Sequence, residues 1–194
     1  MTKGRIEALS DGVIAIIITI MVLELKVPHG PTLGALAPLW PVFFSYVLSF
    51  VYVGIYWNNH HHMLHATSRI SGAAMWANLH LLFWLSLVPF VTGWMGENHF
   101  APVPTAAYGF VLLMAAVAFT ILQAVLTAQQ PEHSRLKMAV RNRRKEWVSM
   151  VIYVSAIPLA FVNEWIADAL FVTVALIWLV PDRRIESAIA RGGE

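Results

Sequence analysis

Four histidines crowd together at His60, His61, His62 and His65. His61 and His65 stand at i, i+4, a spacing that lets two imidazoles on one helix face chelate a metal. The chain has no cysteine, and no carboxylate lies close to this cluster in sequence. The ligand set is therefore incomplete, and the cluster reads better as interfacial groups hydrogen-bonded within the protein. His80, next to Asn78 in a long apolar run, is a lone intramembrane imidazole, whereas a b-type haem needs two that face each other. Glu164 and Asp168 are four apart at a predicted turn, where solvated carboxylates are expected rather than an acid–base pair. No G-x-S-x-G elbow, phosphate-binding loop or H-E-x-x-H helix occurs. The absence of cysteine removes disulfides, iron–sulfur clusters and thiol catalysis. These residues point away from an enzyme, and no metal or cofactor is expected.

A different constellation stands at the start of the chain. Arg5, Glu7, Ser10 and Asp11 open a run of Ile, Val, Leu and Met that continues to Leu25 with one polar residue, Thr19, in its middle. Charges at the threshold of a membrane segment are expensive and mark function, with a partner to be found. Trp57 and His60 end the second apolar run and lie at the matching membrane depth, so they are the expected partners. On a helical wheel Leu9, Gly12, Ile16, Ile20, Leu23 and Val27 form one stripe, with Thr19 on its flank. Gly12 to Leu23 spans about 16 Å of helix axis.

The elements that must position these residues are membrane helices. Of 194 residues 58% are hydrophobic and 12% charged, about half the charged share of a soluble domain, and the mean hydropathy is +0.65. Such a chain cannot cover itself with polar side chains, so the expected class is an all-α polytopic membrane protein. Six apolar segments are predicted, over about 5–26, 35–62, 74–95, 105–128, 145–162 and 166–181, as one unit spanning 1–194. Pro89 and Pro158 lie late in the third and fifth. The net charge of +2 and pI ≈ 9.1 reflect basic residues placed between apolar runs, not a nucleic-acid surface.

Twelve of the thirteen Lys and Arg fall on one side of a six-crossing topology, and Lys26 alone falls on the other. The positive-inside rule then places both termini in the cytoplasm. Trp40, Trp57, Trp94, Trp147 and Trp165 fall near segment ends, where amphipathic rings favour the interface. The basic run Arg135–Lys145 is either a topology determinant or a site for anionic lipid headgroups. Lys3 and Arg5 imitate the start of a secretory signal, but Glu7, Asp11 and the lack of a small-residue cleavage site before Pro28 argue for a retained helix.

Arg5-x4-Ser10-Asp11 at the start of the first segment resembles the R-x-x-x-F-S-D motif of the transmembrane protein 175 family of potassium channels, with Leu9 where phenylalanine is usual. Tyr56-Trp57-x-x-His60-His61 resembles that family's landmark at the end of its second helix. The resemblance implies a six-helix subunit of a bacterial plasma-membrane protein that assembles as a homotetramer, with the first helices around a central pore and potassium as the permeant ion. It places the pore isoleucine at Ile16 and the polar pore residue at Thr19, with Ile20 and Leu23 as further apolar rings on the same stripe. Rings of branched side chains can close a narrow pore by dewetting. The T-V-G-Y-G filter is absent, so weak selectivity is expected. Arg5, Ser10, Asp11, Trp57 and His60 are then a packing network between the first two helices. The alternative is a small proton-coupled secondary transporter, although no pair of broken helices related by an internal repeat supports it.

Overall fold

The computed structural model describes residues 3–67, 70–130 and 143–179. The described residues are helical, with no strand among them. The helices are α1 (Lys3–Leu23), α2 (Trp40–His65), α3 (Gly72–Ser86), α4 (Val88–Glu97), α5 (Pro102–Ala128), α6 (Arg144–Leu159) and α7 (Glu164–Leu179). Arg69, most of the basic run from Arg135, the end of the predicted sixth segment and the cations Arg183, Arg184 and Arg191 lie outside the described residues.

Prolines set most of the boundaries. Pro38 removes one amide donor and disfavours α geometry in the residue before it. The chain from Leu33 to Leu39 therefore winds as a 3-10 helix, and α2 begins at Trp40 with Pro41 in its first turn. The predicted start at 35 is thus five residues early for the α-helix. Pro89 splits the predicted third segment because it cannot donate to the carbonyl four residues back. Leu87 is the joint, with φ −85° and ψ −12°, so α4 continues the direction of α3. α1 closes at Leu23, three residues before its expected end at 26, as the chain approaches Pro28.

Among the described residues, four stretches are long and apolar enough to cross a membrane: α1, Leu33–His65, Gly72–Glu97 and α5. α6 and α7 have 16 residues each, about 24 Å of axis. They form a hairpin whose turn is capped by Asn163 Oδ1 accepting from the Trp165 amide at 3.0 Å.

Side-chain contacts fix which helix ends lie together. Lys3 Nζ donates to the His65 carbonyl (3.0 Å), Gln129 Nε2 to Ser71 Oγ (2.7 Å) and Trp178 Nε1 to Ser149 Oγ (2.9 Å). These bonds join the start of α1, α3 or α6 to the end of α2, α5 or α7. At the opposite end Lys26 pairs with Glu97 at 2.5 Å, and Trp40 stacks on Trp165 at 6.1 Å with Phe100 beside both. The helices therefore run up and down in sequence.

His99 and Phe100 turn the corner into α5 with φ of 51° and 60°. Non-glycine residues reach that region at a cost. The buried Phe100 ring and the Thr105 hydroxyl bonded to its carbonyl at 2.9 Å hold the turn.

The core between these ends is apolar, threaded by a few satisfied polar groups. Thr92 Oγ1 donates to Ser49 Oγ (2.7 Å), and Ser49 shares a bond with the Tyr108 hydroxyl (3.0 Å), linking α4, α2 and α5. Tyr52 Oη donates to the Phe171 carbonyl at 2.6 Å, linking α2 to α7. Where α4 crosses α2, a Cβ on Gly96 would lie 2.8 Å from Val42 Cα. Glycine permits this close approach, as small residues do wherever membrane helices touch backbone to backbone.

One expectation is overturned. Asp168 is not a solvated loop carboxylate: it sits inside α7, is 4% exposed, and neither of its oxygens has a hydrogen-bond partner among the described residues. The Asn163 cap starts α7 two residues before the predicted 166, which moves Asp168 past the first turn and onto the buried face.

Candidate functional site

α1 has two unlike faces. Ile6, Ser10, Ile14, Ile17 and Met21 are buried, at spacings of three and four that place them on one side. Away from them, Ile16 is 58% exposed, Ile20 41% and Leu23 80%. Thr19 is also exposed, and its hydroxyl donates to the Ile16 carbonyl at 2.9 Å. That bond is the usual way a hydroxyl is satisfied inside an apolar helix, and the oxygen keeps its capacity to accept. The predicted stripe is thus the bare side of the helix in the isolated subunit. Beside it runs an open groove of ≈ 630 Å³, walled by Ile16 and Ile20 on α1 and by Phe90 and Trp94 on α4, with Glu24 and Glu97 at one end.

The polar entry of α1 is tied down in two places. Ser10 is fully buried and accepts from Asn78 Nδ2 at 3.0 Å. With its nitrogen committed there, Asn78 presents Oδ1 to His60 Nε2 at 2.7 Å. His60 is 1% exposed and Asn78 2%, so three buried polar side chains from α1, α3 and α2 satisfy one another. One helical face away, Asp11 Oδ1 accepts from Trp57 Nε1 at 3.0 Å in an exposed bond. Lys3 lies 3.8 Å from Glu7 along the same helix. Arg5 is exposed and makes no hydrogen bond or ion pair among the described residues.

The residues expected to pack together are therefore mostly gathered: Asp11 meets Trp57 directly, whereas Ser10 does not bond to His60 itself. Asn78 on α3 bridges Ser10 to His60. The sequence carries one signal for it: an amide in an apolar membrane run needs partners, and Asn78 falls five residues into the third apolar segment as it was predicted.

The remaining histidines do not gather ligands. His61 stacks between Trp57 (5.9 Å) and His65 (6.2 Å) along α2. His80 accepts from Trp84 Nε1 at 2.9 Å. No group of three or more metal-ligating side chains occurs among the described residues.

Comparison with known proteins places this arrangement. Residues 5–89, which carry both motif ends and the Asn78 bridge, match the family model described as endosomal/lysosomal potassium channel TMEM175. A protein of Chryseobacterium sp. (strain P1-3) named as a potassium channel is 53% identical over 97% of this chain and 98% of its own. A Chamaesiphon minutus protein, also named as a potassium channel, is 31% identical over 89% and 91%. The crystal structure of a lysosomal potassium-selective channel TMEM175 homologue from Chamaesiphon minutus superposes with a TM-score of 0.80 at 29% identity, covering 92% of this chain and 96% of that one. The shared helix order, the motif on α1 and identity along nearly the whole length make this chain a member of the TMEM175 potassium-channel family.

Proposed function

We propose that the chain is a potassium-permeable, weakly selective cation channel of the bacterial plasma membrane. In this reading 1–194 is a single six-helix unit with both termini in the cytoplasm, and four copies bring their α1 helices around a central pore. The observation that carries it is the division of α1 into a buried face pinned at Ser10 and a bare apolar stripe. A stripe facing lipid would need no polar anchor at its end. A stripe lining a pore must be held at a fixed rotation, and the Ser10–Asn78–His60 chain and the Asp11–Trp57 bond supply that.

The gate is assigned to the rings of Ile16, Ile20 and Leu23. Fourfold rings of branched side chains expel water from a narrow pore and close it without a charged plug. Small outward tilts of α1 rewet it. Thr19 supplies the only hydroxyls on this part of the stripe, and with no carbonyl cage they give a modest preference among cations. Glu24, beyond the last of these rings, favours cations over anions.

Potassium flux into liposomes, driven by a potassium gradient alone, tests this. Electrogenic flux is expected from the purified protein. Thr19→Ala is expected to keep the flux and change the potassium-to-sodium permeability ratio by several-fold; an unaltered ratio removes Thr19 from the selectivity role. A second reading, proton-coupled transport, draws on Asp168, a buried carboxylate without a partner in a membrane hairpin, the kind of group that marks proton sites. Flux that stops when the proton gradient is collapsed would favour that reading over the channel.

A further inference from the structure

Away from α1, a cavity opens between α2, α5, α6 and α7, at the end of the bundle where α6 begins. Tyr52, Tyr56, Phe119, Tyr153 and Trp178 form most of its wall, and Glu146 lies among them. Most polar groups of the wall are already used. Tyr52 Oη donates to the Phe171 carbonyl, Asn59 Nδ2 to the Ile55 carbonyl and Thr120 Oγ1 to the Ala116 carbonyl. Trp178 Nε1 donates to Ser149 Oγ, and Ser149 in turn donates to the Lys145 carbonyl. Glu146 stands apart from these: its Oε2 is shielded from solvent and has no hydrogen-bond partner among the described residues. A place in the first turn of α6 explains an acidic residue through the helix dipole. It does not explain an oxygen kept out of water without a partner in a wall made mostly of aromatic rings.

The cavity volume is ≈ 40 Å³, taken as the space open to the centre of a water molecule, against about 10–15 Å³ for one water by that measure. Water alone is a poor filler, since each molecule wants two to four polar partners and the wall leaves few free. A bare metal cation is worse, because hard cations take several oxygens at once. An ammonium group with a short alkyl tail fits: it donates to Glu146, lays its charge on the tyrosine rings (the Trp178 ring already has Lys145 Nζ 6.0 Å from its centroid), and buries its carbons against Ile55 and Met150. We infer that this aromatic cavity, with Glu146 in its wall, is a binding site for a small alkylammonium group, separate from the ion pathway. Two sources present that chemistry, a free amine from the aqueous phase and the ethanolamine headgroup of a membrane lipid.

The test uses the full-length protein in nanodiscs of phosphatidylcholine, titrated with ethylammonium chloride by calorimetry at constant ionic strength. Saturable binding is expected, undiminished when potassium chloride replaces sodium chloride, and weakened at least tenfold in Glu146→Gln. The same titration in nanodiscs containing phosphatidylethanolamine separates the sources. Lost binding there identifies the lipid headgroup as the occupant, and unchanged binding identifies the free amine. Absence of saturable binding to the wild-type protein in phosphatidylcholine overturns the proposal, as does equal affinity in a folded Glu146→Gln protein. Full competition by potassium does so too, and that arm needs no variant.

Discussion

Ile16→Asn is expected to raise resting potassium flux through the reconstituted protein at least tenfold. In the proposed tetramer this single change puts four amides where four sec-butyl groups had faced one another. Dewetting of a narrow pore depends on its lining having nothing to offer water. Four amides, each with donors and acceptors, hold water in the constriction and lower the barrier that the dry segment imposes. A tenfold rise needs that barrier to fall by about 1.4 kcal/mol, which is small beside the cost of stripping a cation of its hydration. The cost to folding should be slight, because Ile16 is 58% exposed in the subunit and packs little of the core. The measurement is flux per protein in liposomes, normalised to incorporated protein and compared with Ile17→Asn. Ile17, about 100° further round the helix, is 3% exposed and belongs to the buried face. Its substitution is expected to lower the yield of folded protein and not to open the pore. Equal flux from wild type and Ile16→Asn would move the gate elsewhere on the stripe.

Asn78→Ala is expected to be the most damaging single substitution for stability outside the apolar core. It removes the one side chain that satisfies both Ser10 and His60, leaving two buried polar groups without partners. Each orphaned group costs on the order of 1–3 kcal/mol. Membrane proteins fall at the low end, because the unfolded chain in the bilayer also finds partners. The effect should appear as a fall in melting temperature in detergent, accompanied by loss of the assembled form. The control is the triple change Ser10→Ala, His60→Leu, Asn78→Leu, which deletes the whole polar chain and leaves no group unsatisfied. It should recover much of the stability lost in Asn78→Ala, since removing all partners together is far cheaper than removing one. If the triple variant is no more stable than Asn78→Ala, the loss reflects packing and not an unsatisfied network.

The contrast between Asn78 and Ile16 shows what could be read from the residues alone. The stripe on α1 is a property of one helix, so its periodicity predicts which residues share a face, and Ile16, Ile20 and Leu23 do lie on the bare side. The family resemblance added the expectation that this face borders a pore, which no single-helix pattern contains. The polar entry announced that it needed partners. Trp57 was identifiable because motif and membrane depth agreed, but the bridge through Asn78 depends on how α3 leans between α1 and α2. That tertiary arrangement leaves no local trace beyond an amide in an apolar run. Asp168 was misplaced for a smaller reason. The helix begins two residues earlier than predicted, at Glu164, so Asp168 lies past the first turn and shares the buried face of Phe171 and Ala175. The Pro89 joint was partly legible: the residue that breaks the ladder was visible, but not that α4 would continue the line of α3.

The claim on which all of this rests is that the exposed stripe of α1 faces an aqueous ion pathway. The natural chain contains no cysteine, so single thiols can be introduced without a background. The decisive measurement is potassium flux through Leu23→Cys protein in liposomes, before and after a charged, membrane-impermeant methanethiosulfonate reagent, with Ile17→Cys as the buried counterpart. The account predicts that flux through Leu23→Cys is blocked and restored by a reducing agent, while flux through Ile17→Cys is untouched. A Leu23→Cys protein that conducts and remains unblocked, with its thiol reached only by lipid-soluble reagents, would show that the stripe faces the bilayer and that the pore lies elsewhere.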